Sequence, residues 1–225
     1  MRLERVVVDL TTTETSPSIV LFHGFMSLPA DLSPFADTLG LDACFVFPQG
    51  LLDLAPLGLR GHAWWLDEDQ GAPEARTFPD RVPDGLDVAR ACIDGFIEDI
   101  RRERPNAPLI VGGFSQGAML TLDWTLRTER RPVALVQLSG APMCRGQWAP
   151  RFSAGAGQRV FFSHGRGDPE LAFDAIDSLQ AELAASGWDV TFCAFDGGHE
   201  VPFVPLRALK KFLRTQCVVS PRTPA

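Results

Sequence analysis

Runs of apolar residues alternate along the chain with segments that have helical periodicity. The apolar runs predict buried strands, at residues 4–10, 18–22, 43–48, 108–113, 132–140, 158–165 and 188–195. The intervening periodic segments predict helices at residues 30–39, 84–104, 116–130, 170–186 and 200–214. Strands this apolar, each followed by a helix, predict an α/β fold whose central sheet is mostly parallel and covered by helices on both faces.

Two further features of the pattern are an apolar face on the helix predicted at residues 84–104 and a long irregular segment that interrupts the alternation of strands and helices. In that helix Val88, Cys92, Phe96 and Ile100 recur every four residues and predict its apolar side. Residues 49–82 are irregular and rich in Gly and Pro, which is long for a connection inside a compact domain. The segment carries Trp64, Trp65 and Phe78, so we expect it to be ordered and functional.

Length adds a prediction of domain organisation. A chain of 225 residues fits one α/β domain with a large core. We therefore expect a single domain over residues 1–215 and a disordered tail over residues 216–225, which ends in SPRTPA.

Charge and cysteine content exclude several classes of function. The formal net charge is −7, and no basic stripe is present to neutralise phosphates, so we expect no nucleic-acid partner. The cysteine number is odd and no C-x-x-C pair occurs, which indicates neither a disulfide framework nor a zinc site; the five are Cys44, Cys92, Cys144, Cys193 and Cys217. No secretory apolar region or run of about 18 apolar residues is present. We expect a cytoplasmic protein without stable membrane insertion.

The stretch GFSQG at residues 113–117 indicates a nucleophile. A serine hydroxyl must be exposed and close to a base to attack a carbonyl. A sharp turn between a strand and a helix exposes it, and the residues two before and two after must then be small. Gly113 and Gly117 meet this requirement, and the pattern places an apolar strand before Ser115 and a helix after it. A plain glycine-rich turn is the alternative.

An acid and a base follow in the order that this arrangement requires, Ser then Asp then His. Asp168 lies in HGRGDP and His199 in FDGGHE, each directly after a predicted strand. His199 would accept the proton of Ser115, and Asp168 would orient the imidazole. Other residues compete for both roles: Asp174, Asp177 and Asp196 as the acid, and His23 and His164 as the base. Asp168 also fits an ordinary turn or N-cap before the 170–186 helix.

Two backbone amides are candidates for the oxyanion hole. The amide of Gln116 lies at the start of the helix, where N–H groups are unpaired and the dipole favours negative charge. The HG pair at residues 23–24 follows an early strand, and the next amide, that of Phe25, would be the second donor. His23 would then shape the loop by hydrogen bonding.

Seven stretches in order, LFHGF, FPQG, AWW, GFSQG, LSG, HGRGDP and GGHE, resemble the phospholipase/carboxylesterase family of α/β-hydrolases from about residue 18 to 213. Acyl-protein thioesterases and small bacterial carboxylesterases belong to this family. The resemblance implies a compact α/β-hydrolase without a large cap, hydrolysis of ester or thioester bonds, and no metal or organic cofactor. It assigns the nucleophile to Ser115, the acid to Asp168, the base to His199 and the oxyanion amides to Phe25 and Gln116.

The loops after the strands are apolar and predict an acyl-binding groove, with candidate residues Phe25, Met26, Leu54, Leu57, Trp64, Trp65, Phe78, Met143 and Phe203. Ordinary core packing is the alternative for each. We expect a serine carboxylesterase acting on small-molecule esters with short to medium acyl chains. Three alternatives stay open: an acyl thioesterase, a lysophospholipase, and a non-catalytic scaffold that binds a ligand or partner. Pairing of two subunits through an exposed apolar rim also stays open.

Overall fold

The computed structural model describes residues 3–66 and 81–217. Its strands, β1 to β9 in chain order, are Arg5–Asp9, Ser18–Phe22, Cys44–Pro48, Leu52–Asp53, His62–Ala63, Leu109–Phe114, Ala134–Leu138, Arg159–Gly165 and Asp189–Phe195. Its helices, α1 to α7, are Pro29–Leu32, Pro34–Leu39, Leu86–Glu103, Gln116–Arg127, Arg145–Trp148, Phe173–Ala185 and Phe203–Cys217.

Seven of the strands form one sheet in the order β1-β3-β2-β6-β7-β8-β9. All neighbouring pairs in it are parallel except β1 with β3, which is antiparallel at one edge. The carboxyl ends of β2, β6, β7, β8 and β9 therefore lie along the same edge of the sheet. Ligands of open α/β sheets bind at that edge, and Ser115, Asp168 and His199 follow β6, β8 and β9, which end there. Trp64 and Trp65 follow β5 of the separate two-stranded sheet.

The core lies in two layers, one on each face of the sheet. On β2 the side chains alternate: Val20 and Phe22 belong to the same buried cluster as residues of α3, α4 and α6, whereas Ile19 and Leu21 belong to the cluster with residues of α1, α2 and α7. All four are at most 1% exposed. Burial on both faces explains why the strands are continuous apolar runs, and the predicted mostly parallel α/β architecture is confirmed.

Two helical predictions need correction. The single helix expected at 30–39 is two short ones, because Pro34 has no N–H to continue the ladder and instead begins α2. In α3 the apolar face is not the four-residue series, since Val88 is 58% exposed. A helix turns about 100° per residue, so strict four-residue steps drift off one face. The buried series is Leu86, Ala89, Ile93, Phe96, Ile97 and Ile100.

The long segment after β3 is partly regular. Strands β4 and β5 form a small antiparallel pair, and a turn of 3₁₀ helix, Ala55–Leu57, lies between them. Phe78 lies outside the described residues. Helix α7 continues to Cys217, two residues into the expected tail, and the rest of that tail is also outside the described residues.

None of the helices in residues 3–66 and 81–217 has the length and hydropathy needed to cross a bilayer.

Candidate active site

Ser115 sits at a sharp turn between the central strand β6 and helix α4. Its backbone is at φ 54° and ψ −120°, a region that non-glycine residues rarely adopt. Its N–H donates to the Leu138 carbonyl at 2.9 Å, and its own carbonyl accepts the Met119 N–H at 3.1 Å. Ser115 is partly exposed, while every residue of α4 before Arg127 is buried. The turn thus raises this side chain out of an otherwise buried segment.

The flanking glycines are required by close backbone contacts. A Cβ atom at Gly113 would lie 2.6 Å from the Phe22 carbonyl oxygen, and one at Gly117 would lie 2.5 Å from the Phe22 carbonyl carbon. Gly24 also approaches the turn closely, because a Cβ there would be 3.1 Å from the Cβ of Ser115. The end of β2 and the loop after it therefore run directly against the serine turn.

Asp168 and His199 form a hydrogen-bonded pair at the same edge. The Nδ1–H of His199 donates to Oδ2 of Asp168 at 2.8 Å, across loops that follow the neighbouring strands β8 and β9. The Asp168 side chain is fully buried, and that of His199 is 18% exposed. Donation through Nδ1 leaves Nε2 as the proton acceptor, which is the tautomer that a general base requires.

The other oxygen of Asp168 shapes its own loop. Oδ1 accepts the N–H groups of Glu170 at 2.8 Å and Leu171 at 2.9 Å. Burial would raise the pKa of the carboxyl, but the hydrogen bonds from His199, Leu171 and Glu170 together lower it. Asp168 therefore fills the turn role, and its bond from His199 is at the same time the contact that the predicted acid role needs. This loop also explains why α6 begins at Phe173 and not at residue 170, as predicted.

The rival acids and bases are occupied elsewhere. The side chain of Asp196 is 98% exposed and faces Arg166 at 4.0 Å. Asp177 accepts a hydrogen bond from Gln180 on α6, and Asp174 lies in the first turn of the same helix. His164 is fully buried, and its Nε2–H donates to the Leu171 carbonyl at 3.0 Å and faces Oδ2 of Asp168 at 3.3 Å. It therefore braces the Asp168 loop, and burial lowers its pKa.

His23 holds the loop that carries the second candidate oxyanion amide. Its Nδ1–H donates to the Gly24 carbonyl at 2.7 Å, and its Nε2 accepts the Gly50 N–H at 2.8 Å. Both ring nitrogens are thus occupied in the neutral form, and burial lowers the pKa of this histidine. His23 therefore fixes the loop before Phe25 and has no free nitrogen with which to transfer a proton.

The side chain of Gln116 has a role that the sequence reasoning missed. Its Oε1 accepts the Trp64 N–H at 2.9 Å, and its Nε2 donates to the Trp65 carbonyl at 3.0 Å. The Trp64 indole in turn donates to the His23 carbonyl at 2.8 Å. The residue after the nucleophile is thereby linked through the Trp64–Trp65 segment to the loop before Phe25. The co-occurrence of AWW with GFSQG was the available sequence signal, but it does not specify side-chain contacts.

The ring of Phe114, the residue before Ser115, packs on the imidazole of His199 with centroids 4.8 Å apart. Within residues 3–66 and 81–217, no hydrogen bond joins the hydroxyl of Ser115 to His199. Such contacts are often long without substrate and tighten in the Michaelis complex.

The residues predicted to contact an acyl chain divide into two groups. Met26 is 36% exposed and Phe203 is 72% exposed, beside the candidate oxyanion loop and at the start of α7 respectively. Trp64, Trp65 and Met143 are at most 2% exposed and belong to the hydrophobic core. The burial of these three fits core packing, the alternative, and direct acyl contact stays a prediction for all five residues. Leu54 is also buried, whereas Leu57 is 58% exposed.

Comparison with known proteins matches the whole described chain. A family model for phospholipase/carboxylesterase matches residues 3–217. The chain is 28% identical to the acyl-protein thioesterase 1 of Mycosarcoma maydis over 95% of both proteins. It is 29% identical to the acyl-protein thioesterase 1 of Kluyveromyces lactis, over 95% of this chain and 97% of that protein.

Solved structures share the architecture. The crystal structure of esterase PE8 has a TM-score of 0.80 at 24% identity, over 96% of this chain and 99% of that one. The carboxylesterase of Bacillus cereus has a TM-score of 0.77 at 19% identity, over 95% and 94%. At these identities the likeness shows a shared α/β-hydrolase fold.

Proposed function

The chain belongs to the phospholipase/carboxylesterase family of hydrolases, and from this premise we propose that it is a serine carboxylesterase acting on esters with short to medium acyl chains. The observation that carries the proposal is the pair of His199 and Asp168, joined at 2.8 Å, at the sheet edge where Ser115 stands on its strained turn. These three residues are spread over residues 115–199 of the sequence, and their meeting at one edge of the sheet supports the proposed roles.

The proposed reaction has two steps. The hydroxyl oxygen of Ser115 attacks the acyl carbonyl while Nε2 of His199 takes its proton, and the leaving alcohol departs with that proton. Water then attacks the acyl-enzyme with His199 again as the base, which releases the carboxylic acid and restores Ser115. Asp168 keeps the imidazole in its tautomer and stabilises the imidazolium in both steps.

The developing oxyanion would be bound by the amides of Phe25 and Gln116. The first amides of α4 have no intrahelical acceptor, and the loop of Phe25 is held against Ser115 by the close approach of Gly24. Preorganised donors of this kind usually provide the largest single contribution to catalysis. The charge therefore develops next to groups that need no rearrangement.

The exposed apolar residues Met26 and Phe203 support an acyl group as the substrate portion bound beside Ser115. The names of the two fungal relatives favour a second candidate, an acyl thioesterase. The chemistry of the two reactions is the same, since a thiol replaces the alcohol as the leaving group. A lysophospholipase activity would use the same steps on a larger ester.

The test is a series of p-nitrophenyl esters and acyl thioesters of increasing chain length, assayed with the wild type and Ser115→Ala. We expect the wild type to prefer oxygen esters of short to medium chains and Ser115→Ala to lose activity while it keeps its melting temperature. Preference for thioesters would select the second candidate. Full activity in Ser115→Ala would contradict the nucleophile, and inertness of the wild type across the series would favour a non-catalytic binding scaffold.

A further inference from the structure

The carboxyl end of β7 lies between the serine turn and the strands that carry the acid and base. Strand β7 pairs with β6 on one side and β8 on the other. Its last residue, Leu138, accepts the N–H of Ser115 at 2.9 Å through its carbonyl. The next residue, Ser139, donates its own N–H to the Ser163 carbonyl at 2.8 Å. The backbone of Ser139 is thus held directly after the residue that binds the Ser115 N–H.

The backbone of Ser139 is in the left-handed region, with φ 47°, and the residue is fully buried. This conformation costs a residue with a Cβ roughly 1 kcal/mol or more. Strained residues of this kind persist where their surroundings determine them, and they cluster at functional sites. A glycine would adopt the same turn without strain, so a serine at this position indicates a use for the hydroxyl.

The hydroxyl of Ser139 donates to the backbone carbonyl of Glu200 at 3.3 Å. Glu200 directly follows His199, so this bond holds the loop of the base at one residue from the imidazole. The loop is also tied to the acid side, because the Gly167 N–H donates to the Gly197 carbonyl at 2.9 Å and His199 bonds Asp168. Those bonds position His199 relative to Asp168. The Ser139 bond positions the His199 loop relative to β7, whose last residue, Leu138, accepts the N–H of Ser115.

We propose that Ser139 is a positioning residue that sets the approach of His199 to Ser115. The proposal rests on the proposed serine hydrolase mechanism and adds to it a residue that does not touch the substrate. Proton transfer requires the two heavy atoms to come within about 3 Å, and a misplacement of about 1 Å can cost about 100-fold in rate. Since no hydrogen bond joins Ser115 and His199 within the described parts of the chain, the elements that hold the two loops determine their separation.

The experiment uses Ser139→Ala, Ser139→Gly and a matched control, Ser163→Ala. Both Ser139 variants lack the hydroxyl, but the glycine also removes the backbone strain. Ser163 is a fully buried serine on the adjacent strand, and its hydroxyl has no hydrogen-bond partner in the described structure. The measurements are kcat and KM on a p-nitrophenyl ester, the rate of covalent labelling by a fluorophosphonate, and the melting temperature.

We expect kcat and the labelling rate to fall roughly tenfold in both Ser139 variants, with KM changed less than about threefold. Ser139→Gly should melt at a higher temperature than Ser139→Ala, so that activity and stability separate. Ser163→Ala should keep the wild-type kcat.

The inference is overturned if Ser139→Gly keeps kcat within about twofold of the wild type, or if Ser163→Ala loses as much activity as Ser139→Ala. It is also overturned if the loss in each variant matches its unfolded fraction at the assay temperature. A wild type that hydrolyses no ester and is not labelled would overturn the proposed function and this inference together. Normal wild-type activity with unaffected Ser139 variants would overturn this inference alone.

Discussion

The two sides of the serine turn are built differently. On the oxyanion side, the loop before Phe25 is held by buried neutral groups: His23, Trp64 and the Gln116 side chain are all at most 5% exposed. On the acid–base side, the His199 side chain is 18% exposed, and its loop is held by a carboxylate, by glycine backbone contacts and by one hydroxyl at 3.3 Å.

The difference matches what each side must do. Oxyanion donors work best when they are already oriented, since reorganisation during the reaction would cost energy. Buried hydrogen bonds are costly to break, which keeps that side rigid. The base must accept and return protons and admit water, and a partly exposed side chain permits both. This difference in burial fits the two proposed roles, a rigid electrostatic side and a more accessible proton-transfer side.

The largest expected effect comes from breaking the acid–base side at Asp168. An amide in Asp168→Asn can still accept the loop N–H groups through one oxygen, but it no longer holds His199 in the required tautomer. We expect kcat to fall about 10³- to 10⁴-fold, measured by p-nitrophenyl ester hydrolysis. Asp196→Asn is the matched control, because that side chain is 98% exposed and should not matter. Equal losses in the two variants, or no loss in the first, would remove Asp168 from the mechanism.

The second-largest effect is expected on the oxyanion side, from Gln116→Met. Methionine has a similar size to glutamine but lacks the amide group. It leaves the Trp64 N–H and the Trp65 carbonyl buried without partners. We expect a loss of about 2–4 kcal/mol in the free energy of unfolding, and a fall in kcat beyond that of a matched variant. Chemical denaturation and ester hydrolysis measure the two quantities.

The matched variant is Gln158→Met, directly before β8. Gln158 is also a buried glutamine, and its amide donates to the Pro132 carbonyl at 3.2 Å and to the Arg159 carbonyl at 3.1 Å, at the amino ends of β7 and β8 and so at the opposite edge of the sheet from the serine turn. It should lose stability while keeping kcat. If both variants reduced kcat alike, the brace around Gln116 would have no special connection to the oxyanion side.

Two glycines of the β4–β5 segment test how closely that segment supports the oxyanion loop. Gly58 and Gly61 both have φ 74°, so alanine at either should cost about 1 kcal/mol in backbone strain. A Cβ at Gly61 would also lie 2.7 Å from the Met26 carbonyl carbon, whereas one at Gly58 has open space. We expect Gly61→Ala to lose a further ~1–3 kcal/mol of stability and to reduce kcat/KM. Equal stability and activity for the two variants would show that the close approach of Gly61 to the Met26 backbone does not support the oxyanion loop.

The smallest expected effect is a pH dependence of the free energy of unfolding, to which one histidine on each side contributes. Burial lowers the pKa of His23 on the oxyanion side and of His164 beside Asp168. The unfolded chain, with histidine pKa values near 6.5, then binds more protons than the folded protein. The stability contributed by these histidines is complete above about pH 6.5 and declines as pH falls toward the folded pKa, by up to ~1.4 kcal/mol per pH unit for each.

Denaturation curves between about pH 7.5 and 5 measure this slope. His164→Asn should reduce it, because one of the two titrating groups is removed. A flat profile in the wild type, or an unchanged slope in the variant, would contradict the expected role of the buried histidines.

Much of the fold was predictable because local patterns specify it. Strands β2, β3, β6 and β7 are buried on both faces and are therefore continuous apolar runs. The sequence pattern accordingly predicted their bounds to within one or two residues. Prolines and turns set several boundaries that periodicity could not, such as the break at Pro34 and the late start of α6 after the Asp168 loop. The apolar face of α3 was assigned incorrectly because a four-residue repeat does not stay on one side of a helix.

The sequence by itself predicted which residues would carry the proposed chemistry, since a serine between two glycines, an aspartate and a histidine follow strands β6, β8 and β9 in a fixed order. Only the tertiary structure decided which partners these residues have. The selection of Asp168 over Asp196, the clamp of Gln116 on Trp64, and the bond from Ser139 to the histidine loop all join residues that are far apart in the chain. Contacts of that kind depend on where strands end in space, and the spacing of residues along a sequence does not encode them.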